Sequence, residues 1–229
     1  MERPFSGKQY AVSGVIDCSL NERRKSMKKI PVLIVLLGLM LLLGTNVATA
    51  AVTGSTPPKF EFPCLLSNAG QGPDGKNARA MINFQAASKA VMIYETNYWY
   101  SAEPLPSEIA KYKTIIFAIS SSAKGLGASG ITIDEEVARL NKVVAEAKKL
   151  KIKIVALLMN GKDNRGLAGS ANEQSIDAIA PFADYFIVRK DGDTDGKFKK
   201  IADKNKVPLT YFETGILDLP GLFAAMFSK

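Results

Sequence analysis

Residues 114–119 read Thr-Ile-Ile-Phe-Ala-Ile, and residues 152–159 read Ile-Lys-Ile-Val-Ala-Leu-Leu-Met. Both runs are short and almost uniformly apolar, the pattern of parallel strands covered on both faces. Between them Thr132-Ile133-Asp134-Glu135 makes a capping box, after which Val137, Leu140, Val143, Val144, Ala147 and Leu150 fall on one helical face. Lys142, Glu146, Lys148 and Lys149 take the other face. A strand, a crossover helix and a second apolar strand predict a parallel sheet with right-handed connections.

Working outward, the same alternation continues. Lys59–Leu66, Ala90–Tyr94, Tyr185–Val188 and Leu209–Phe212 complete a set of six expected strands. Helices are expected over about residues 75–87, from the box Ser170-Ala171-Asn172-Glu173 to the stop at Pro181, and over Gly196 to Asn205. A last one follows Asp218-Leu219-Pro220 and presents Leu222, Phe223, Met226 and Phe227. The expected fold is a single three-layer α/β/α domain over residues 59–229. Its sheet is mostly parallel, of about five or six strands, and Rossmann-like or flavodoxin-like.

The amino-terminal part reads differently. Ile30 to Leu43 is a run of fourteen almost purely apolar residues, preceded by Arg23, Arg24, Lys25, Lys28 and Lys29 and followed by Ala48-Thr49-Ala50. A basic stretch, a short apolar stretch and an A-x-A site describe a secretory signal peptide over residues 27–50. A spanning helix needs about 20 apolar residues, so no stable span is expected after cleavage. Residues 1–26 read as an extension or a mis-assigned start, because Met27-Lys28-Lys29-Ile30 opens a tidier signal; residues 51–58 read as a linker. The expected location is periplasmic or extracellular.

Composition excludes much. The chain of 229 residues carries 30 Lys and Arg against 22 Asp and Glu. Residues 51–229 alone hold 23 against 19, a net charge of +4, with the lysines scattered among acids. That distribution does not suit nucleic acid. With no His anywhere, Ser-His-Asp and Cys-His activation and His-ligated zinc or iron are excluded. Cys64 stands alone after the signal, so it forms no internal disulfide there and reads as a buried small hydrophobe.

Ligands of open α/β sheets bind beyond the carboxyl ends of the strands. The loops expected there hold Asn68, Gln71 and Asp74 after the first strand, and Ser121, Ser122, Lys124 and Gly125 after the third. Asn160, Lys162, Asp163 and Arg165 follow the fourth. These are also ordinary turn residues. Lys124, Lys162 and Arg165 with Ser and Gly backbone donors nevertheless suit a small anionic or polar ligand. Gly125-Leu126-Gly127-Ala128-Ser129-Gly130 formally matches the dinucleotide fingerprint, but its helix cap comes late and no acidic residue follows at the right spacing, so it reads as a Gly-rich loop. Asp191, Asp193 and Asp195 match the opening of a calcium loop, yet its twelfth position is Ala202 rather than Glu. The other reading is an acidic turn in which Thr194 or Asp195 caps the next helix. Tyr98, Trp99 and Tyr100 form an aromatic cluster that either meets an envelope protein or packs over a strand edge.

The segments Ala69-Gly70-Gln71-Gly72-Pro73-Asp74, Ser121-Ser122-Ala123-Lys124-Gly125-Leu126-Gly127-Ala128 and Pro181-Phe182-Ala183-Asp184-Tyr185 resemble landmarks of an exported bacterial α/β family catalogued as the domain of unknown function numbered 6305. The resemblance implies export and the fold, and brings no catalytic residue or cofactor. The functional expectation is a non-enzymatic module for a small ligand. The alternatives are an envelope interaction protein, or an enzyme with Asp74, Lys124 and Asp163 as acid–base groups.

Overall fold

The computed structural model describes residues 52–87, 98–213 and 218–227, all within one compact unit spanning Ala50–Lys229. Its strands are β1 (Val52–Gly54), β2 (Cys64–Ala69), β3 (Tyr98–Tyr100), β4 (Thr114–Ile119), β5 (Lys153–Leu158), β6 (Tyr185–Arg189) and β7 (Leu209–Phe212). The helices are α1 (Asp74–Ala87), α2 (Ala123–Ser129), α3 (Ile133–Lys149), α4 (Ala171–Ile179), α5 (Lys197–Asn205) and α6 (Leu219–Phe227). They build a seven-stranded sheet in the order β1-β7-β6-β5-β4-β2-β3, parallel throughout except for β1.

Strand alternation divides the core in two. Ile115, Phe117, Ile119, Ile154, Ala156, Phe186 and Val188 face α3, α4 and α5, where Leu140, Val143, Ile176, Ile179 and Phe198 meet them. Ile116, Ala118, Val155, Leu157, Tyr185 and Ile187 point the other way, toward Ala78 and Ile82 of α1 and Leu222, Phe223 and Met226 of α6. Burial on both faces explains why these strands are apolar at every position. Cys64 is fully buried and free, and burial pushes its thiol well up, as expected of a packing residue.

Several expectations are corrected. The linker at residues 51–58 contains β1, which pairs antiparallel with β7 (Val52 opposite Phe212) and is tied further by Ser55 N donating to Leu209 O at 2.8 Å. The first expected strand begins at Cys64, not Lys59. Ala90–Tyr94 lies outside the described residues; Tyr98–Tyr100 supplies the edge strand beside β2. The glycine stretch is a helix, α2, whose amino end is capped by Ser122 Oγ accepting from Gly125 N at 2.9 Å, and which ends at left-handed Gly130. The box at Thr132 forms in full. At Ser170 only half forms, because the Glu173 carboxylate turns to Arg165 instead of reaching back to the cap.

Candidate functional site

Order in the sheet reverses between β2 and β4: the chain leaves β2 for α1 on one face and leaves β4 for α3 on the other. The loops that follow the carboxyl ends of β2, β4 and β5 therefore meet above this point. There a ring of polar groups closes on itself. Asp74, the first residue of α1, accepts from Asn160 Nδ2 at 2.6 Å. Asn160 Oδ1 accepts from Asn164 Nδ2 at 3.0 Å, and Asn164 O accepts from Asn172 Nδ2. Asn172 Oδ1 takes the Ser121 amide at 2.5 Å, and the neighbouring Ser120 Oγ accepts from the Asp74 amide at 3.3 Å. Four segments thus contribute to one circuit of side-chain and backbone groups. Ser121 Oγ, also buried here, makes no hydrogen bond within the described residues, so the circuit holds unused hydrogen-bonding capacity.

Asp74 is 3% exposed, and its burial pushes the carboxyl up from 3.8 to about 6, against the lowering effect of a hydrogen bond from Asn77. A carboxyl with that value changes charge near neutrality.

Beneath the ring a second network holds the β2–α1 loop. Glu136 of α3 is fully buried and accepts from Gly70 N at 3.0 Å, Gln71 Nε2 at 3.2 Å and Arg139 Nε and Nη2 at 2.8 and 2.7 Å. Burial pushes the Glu136 carboxyl up, but these donors outweigh it and hold it below the usual carboxylate value. Arg139 also donates to Asn68 O, and Asn68 Nδ2 to Gln71 Oε1. The loop approaches so closely that a Cβ on Gly125 would stand 1.6 Å from Gln71 O, and one on Gly72 2.1 Å from Ser120 Oγ. These glycines serve loop-to-loop packing. Gly70, Gly72 and Gly125 give their amides to Glu136, Ser120 O and Ser122 Oγ, not to an open cradle.

Of the expected site residues, the structure brings Asp74, Ser121 and Asn160 into the ring and puts Asn68 and Gln71 into the supporting network. Ser122 caps α2, Lys124 stands exposed in its first turn, and Lys162 and Asp163 stand exposed on the loop after β5. Arg165 has a different role. It is buried on Glu173, Asp195 (3.0 Å) and Gly192 O (2.5 Å), while Lys197 joins Glu173 at 2.8 Å. Sequence reading missed Ser120, Asn164, Asn172, Glu136 and Arg139; their pairing across elements leaves no local pattern.

The three acids of the calcium pattern point apart. Asp193 accepts from the Phe198 and Lys199 amides at the start of α5 and from Tyr211 Oη at 2.6 Å. Asp195 turns to Arg165 and the Lys197 amide, and Asp191 pairs with Arg189 at 2.7 Å. Among the described residues no group of three or more acidic, Cys or His side chains could hold a metal ion. In the aromatic cluster, Tyr100 turns inward to Asn68 while Trp99 is 45% exposed under the ammonium of Lys111, 4.7 Å from its ring centre. Among the described residues no helix is long and apolar enough to cross a membrane.

This winding with a polar ring at its reversal defines an α/β domain protein with a closed, hydrogen-bonded rim. The profile described as "Domain of unknown function (DUF6305)" matches residues 61–227, and the chain belongs to that family. No curated protein matches it. Among solved structures it is similar to a GDSL-like lipase from Bacteroides thetaiotaomicron, with 8% identity and a TM-score of 0.30, over 64% of this chain and 65% of that one. The chain thus spans a little under two thirds of the lipase, and at this similarity no activity or residue carries over.

Proposed function

We propose that this chain is an exported, non-enzymatic module that binds a small polar ligand at the ring of Asp74, Ser120, Ser121, Asn160, Asn164 and Asn172. The convergence of these groups at the reversal of strand order carries the reading. Counted along the chain, the parallel strands lie in the order 2-1-3-4-5-6, the flavodoxin-like winding, whose ligands sit at the crevice between the first and third strands. Those strands are β2 and β4. Hydroxyls, amides and one carboxyl favour a ligand that exchanges hydrogen bonds, and Arg165 is neutralised by its own acids while Lys124 and Lys162 stand exposed on neighbouring segments. Export rests on the signal pattern of residues 27–50.

One observation favours an enzymatic reading: Asp74, with a pKa of about 6, is suited to transfer a proton at neutral pH. Lys124 and Asp163 do not join it; one is exposed in α2 and the other on the loop after β5.

A thermal-shift panel of sugars, amides, hydroxy acids and nucleosides tests the proposal. A ligand at a hundred times its Kd adds about 2.7 kcal/mol of stability, roughly 5–10 °C at this size. The shift should vanish in Asn160→Ala; a shift that survives there refutes the ring as the site. Turnover in the wild type that disappears in Asp74→Asn supports the enzymatic reading instead.

A further inference from the structure

We propose that the opposite end of the sheet, where the strands begin, carries a second site, for a linear phosphate-bearing polyanion. A depression of about 500 Å³ lies there, lined by Tyr112 and Lys113 before β4 and by Lys151, Ile152 and Lys153 at the start of β5. It adjoins a second of about 410 Å³, which shares residues 151–153 and adds Lys148, and a third of about 290 Å³, which shares Tyr112 and adds Lys111. The first two form one trough across the amino ends of β4 and β5, and the third lies on the far side of Tyr112, beside β3.

Its charge is one-sided. Lys59, Lys111, Lys113, Lys148, Lys151 and Lys153 line these depressions against Glu61, Glu108 and Asp184. Asp184 pairs with Lys153 at 3.1 Å and Lys148 at 3.7 Å. Among the described residues Lys113 and Lys151 make no ion pair. Yet the fold holds their segments together, since Lys153 N donates to Lys113 O at 2.9 Å. Like charges on neighbouring segments repel, and an anion between them relieves the repulsion. A concave surface lined by one sign of charge also concentrates counter-ions.

The set contains lysine and no arginine. Lysine binds phosphate as a point charge, without the bidentate geometry that arginine brings to carboxylate and phosphate alike. An elongated trough of point charges fits a chain of phosphates. The lysines line the walls of a concavity, which a chain can enter and a flat bilayer cannot.

The test is a titration of the full chain with short-chain sodium polyphosphate, read by the fluorescence of Trp99, the single tryptophan, which sits under Lys111. Saturable binding is expected, with a log–log salt slope of roughly −2 to −3 for three or four neutralised ammoniums. Lys113→Gln with Lys151→Asn should weaken it at least tenfold; Asn tolerates the left-handed backbone of Lys151 (φ 57). Lys76→Gln with Lys142→Gln, exposed on α1 and α3, removes the same charge and should leave binding unchanged. Equal weakening in both pairs, no saturable binding at low salt, or binding to phosphatidylglycerol vesicles without binding to polyphosphate would each overturn the proposal.

Discussion

Replacing Asp74 by Asn should stabilise the protein above neutral pH and leave it unchanged in acid. The folded carboxyl titrates at about 6, against an ordinary value near 3.8, because burial outweighs the hydrogen bond from Asn77. A raised carboxyl contributes stability below its unfolded value and loses it as pH rises through the folded value. At pH 8 the native protein therefore holds a charge that burial disfavours. At 1.36 kcal/mol per unit the penalty is about 3 kcal/mol. Asn has the same shape and no charge, and its Oδ1 still accepts from Asn160. The gain expected for Asp74→Asn is about 2–3 kcal/mol at pH 8, or roughly 5–10 °C in Tm at this size. It should shrink between pH 6 and 4 and be absent below that. Paired melts of wild type and variant at half-unit pH steps read it directly. A variant less stable than wild type at pH 8 would mean that the carboxylate is a well-solvated or well-donated charge. A gain that does not depend on pH would mean that packing, not ionisation, produced it.

Arg139→Met leaves Glu136 buried without its principal partner, and should cost about 3–5 kcal/mol in denaturant melts at neutral pH. The loss should narrow in acid, because Glu136 is held below its usual value and the stability it brings disappears as pH falls through that value. Gly125→Ala should destabilise by about 1–3 kcal/mol, since its Cβ would overlap the Gln71 carbonyl. Gly127→Ala, two residues along α2 with nothing within 4 Å of a Cβ, should instead gain about 0.5–1 kcal/mol. Opposite signs separate a glycine kept for close approach from one that is merely tolerated. The mass of the protein recovered from outside the cytoplasm after expression of the whole chain should correspond to residues 51–229; an uncleaved product there would contradict the signal-peptide proposal.

The central strands were legible because burial on both faces leaves Thr114–Ile119, Lys153–Leu158 and Tyr185–Arg189 almost no polar position, a pattern that no other strand among the described residues shows. Strand β1 was not. Val52-Thr53-Gly54 has no pattern of its own and exists through pairing with residues more than 150 positions away. Helix α2 reads as a Gly-rich loop in the sequence, and its cap at Ser122 is visible only in the structure. In the site, Asp74, Ser121 and Asn160 could be picked out as polar residues at strand ends. Asn164 and Asn172 could not, because an amide on a surface turn looks the same whether or not it closes a circuit. Arg165 was assigned the wrong partner for a related reason. The two acids that neutralise it, Glu173 and Asp195, come from α4 and the β6–α5 loop, and only the fold brings them together.

The side-chain amide resonances of Asn160, Asn164 and Asn172 test the central claim most directly. In ¹⁵N spectra recorded while the small polar compounds of the panel are added, these signals should shift together and saturate with a single affinity. Saturable shifts confined to signals elsewhere, or no saturable shift with any compound, would contradict a ligand site at the carboxyl-end ring.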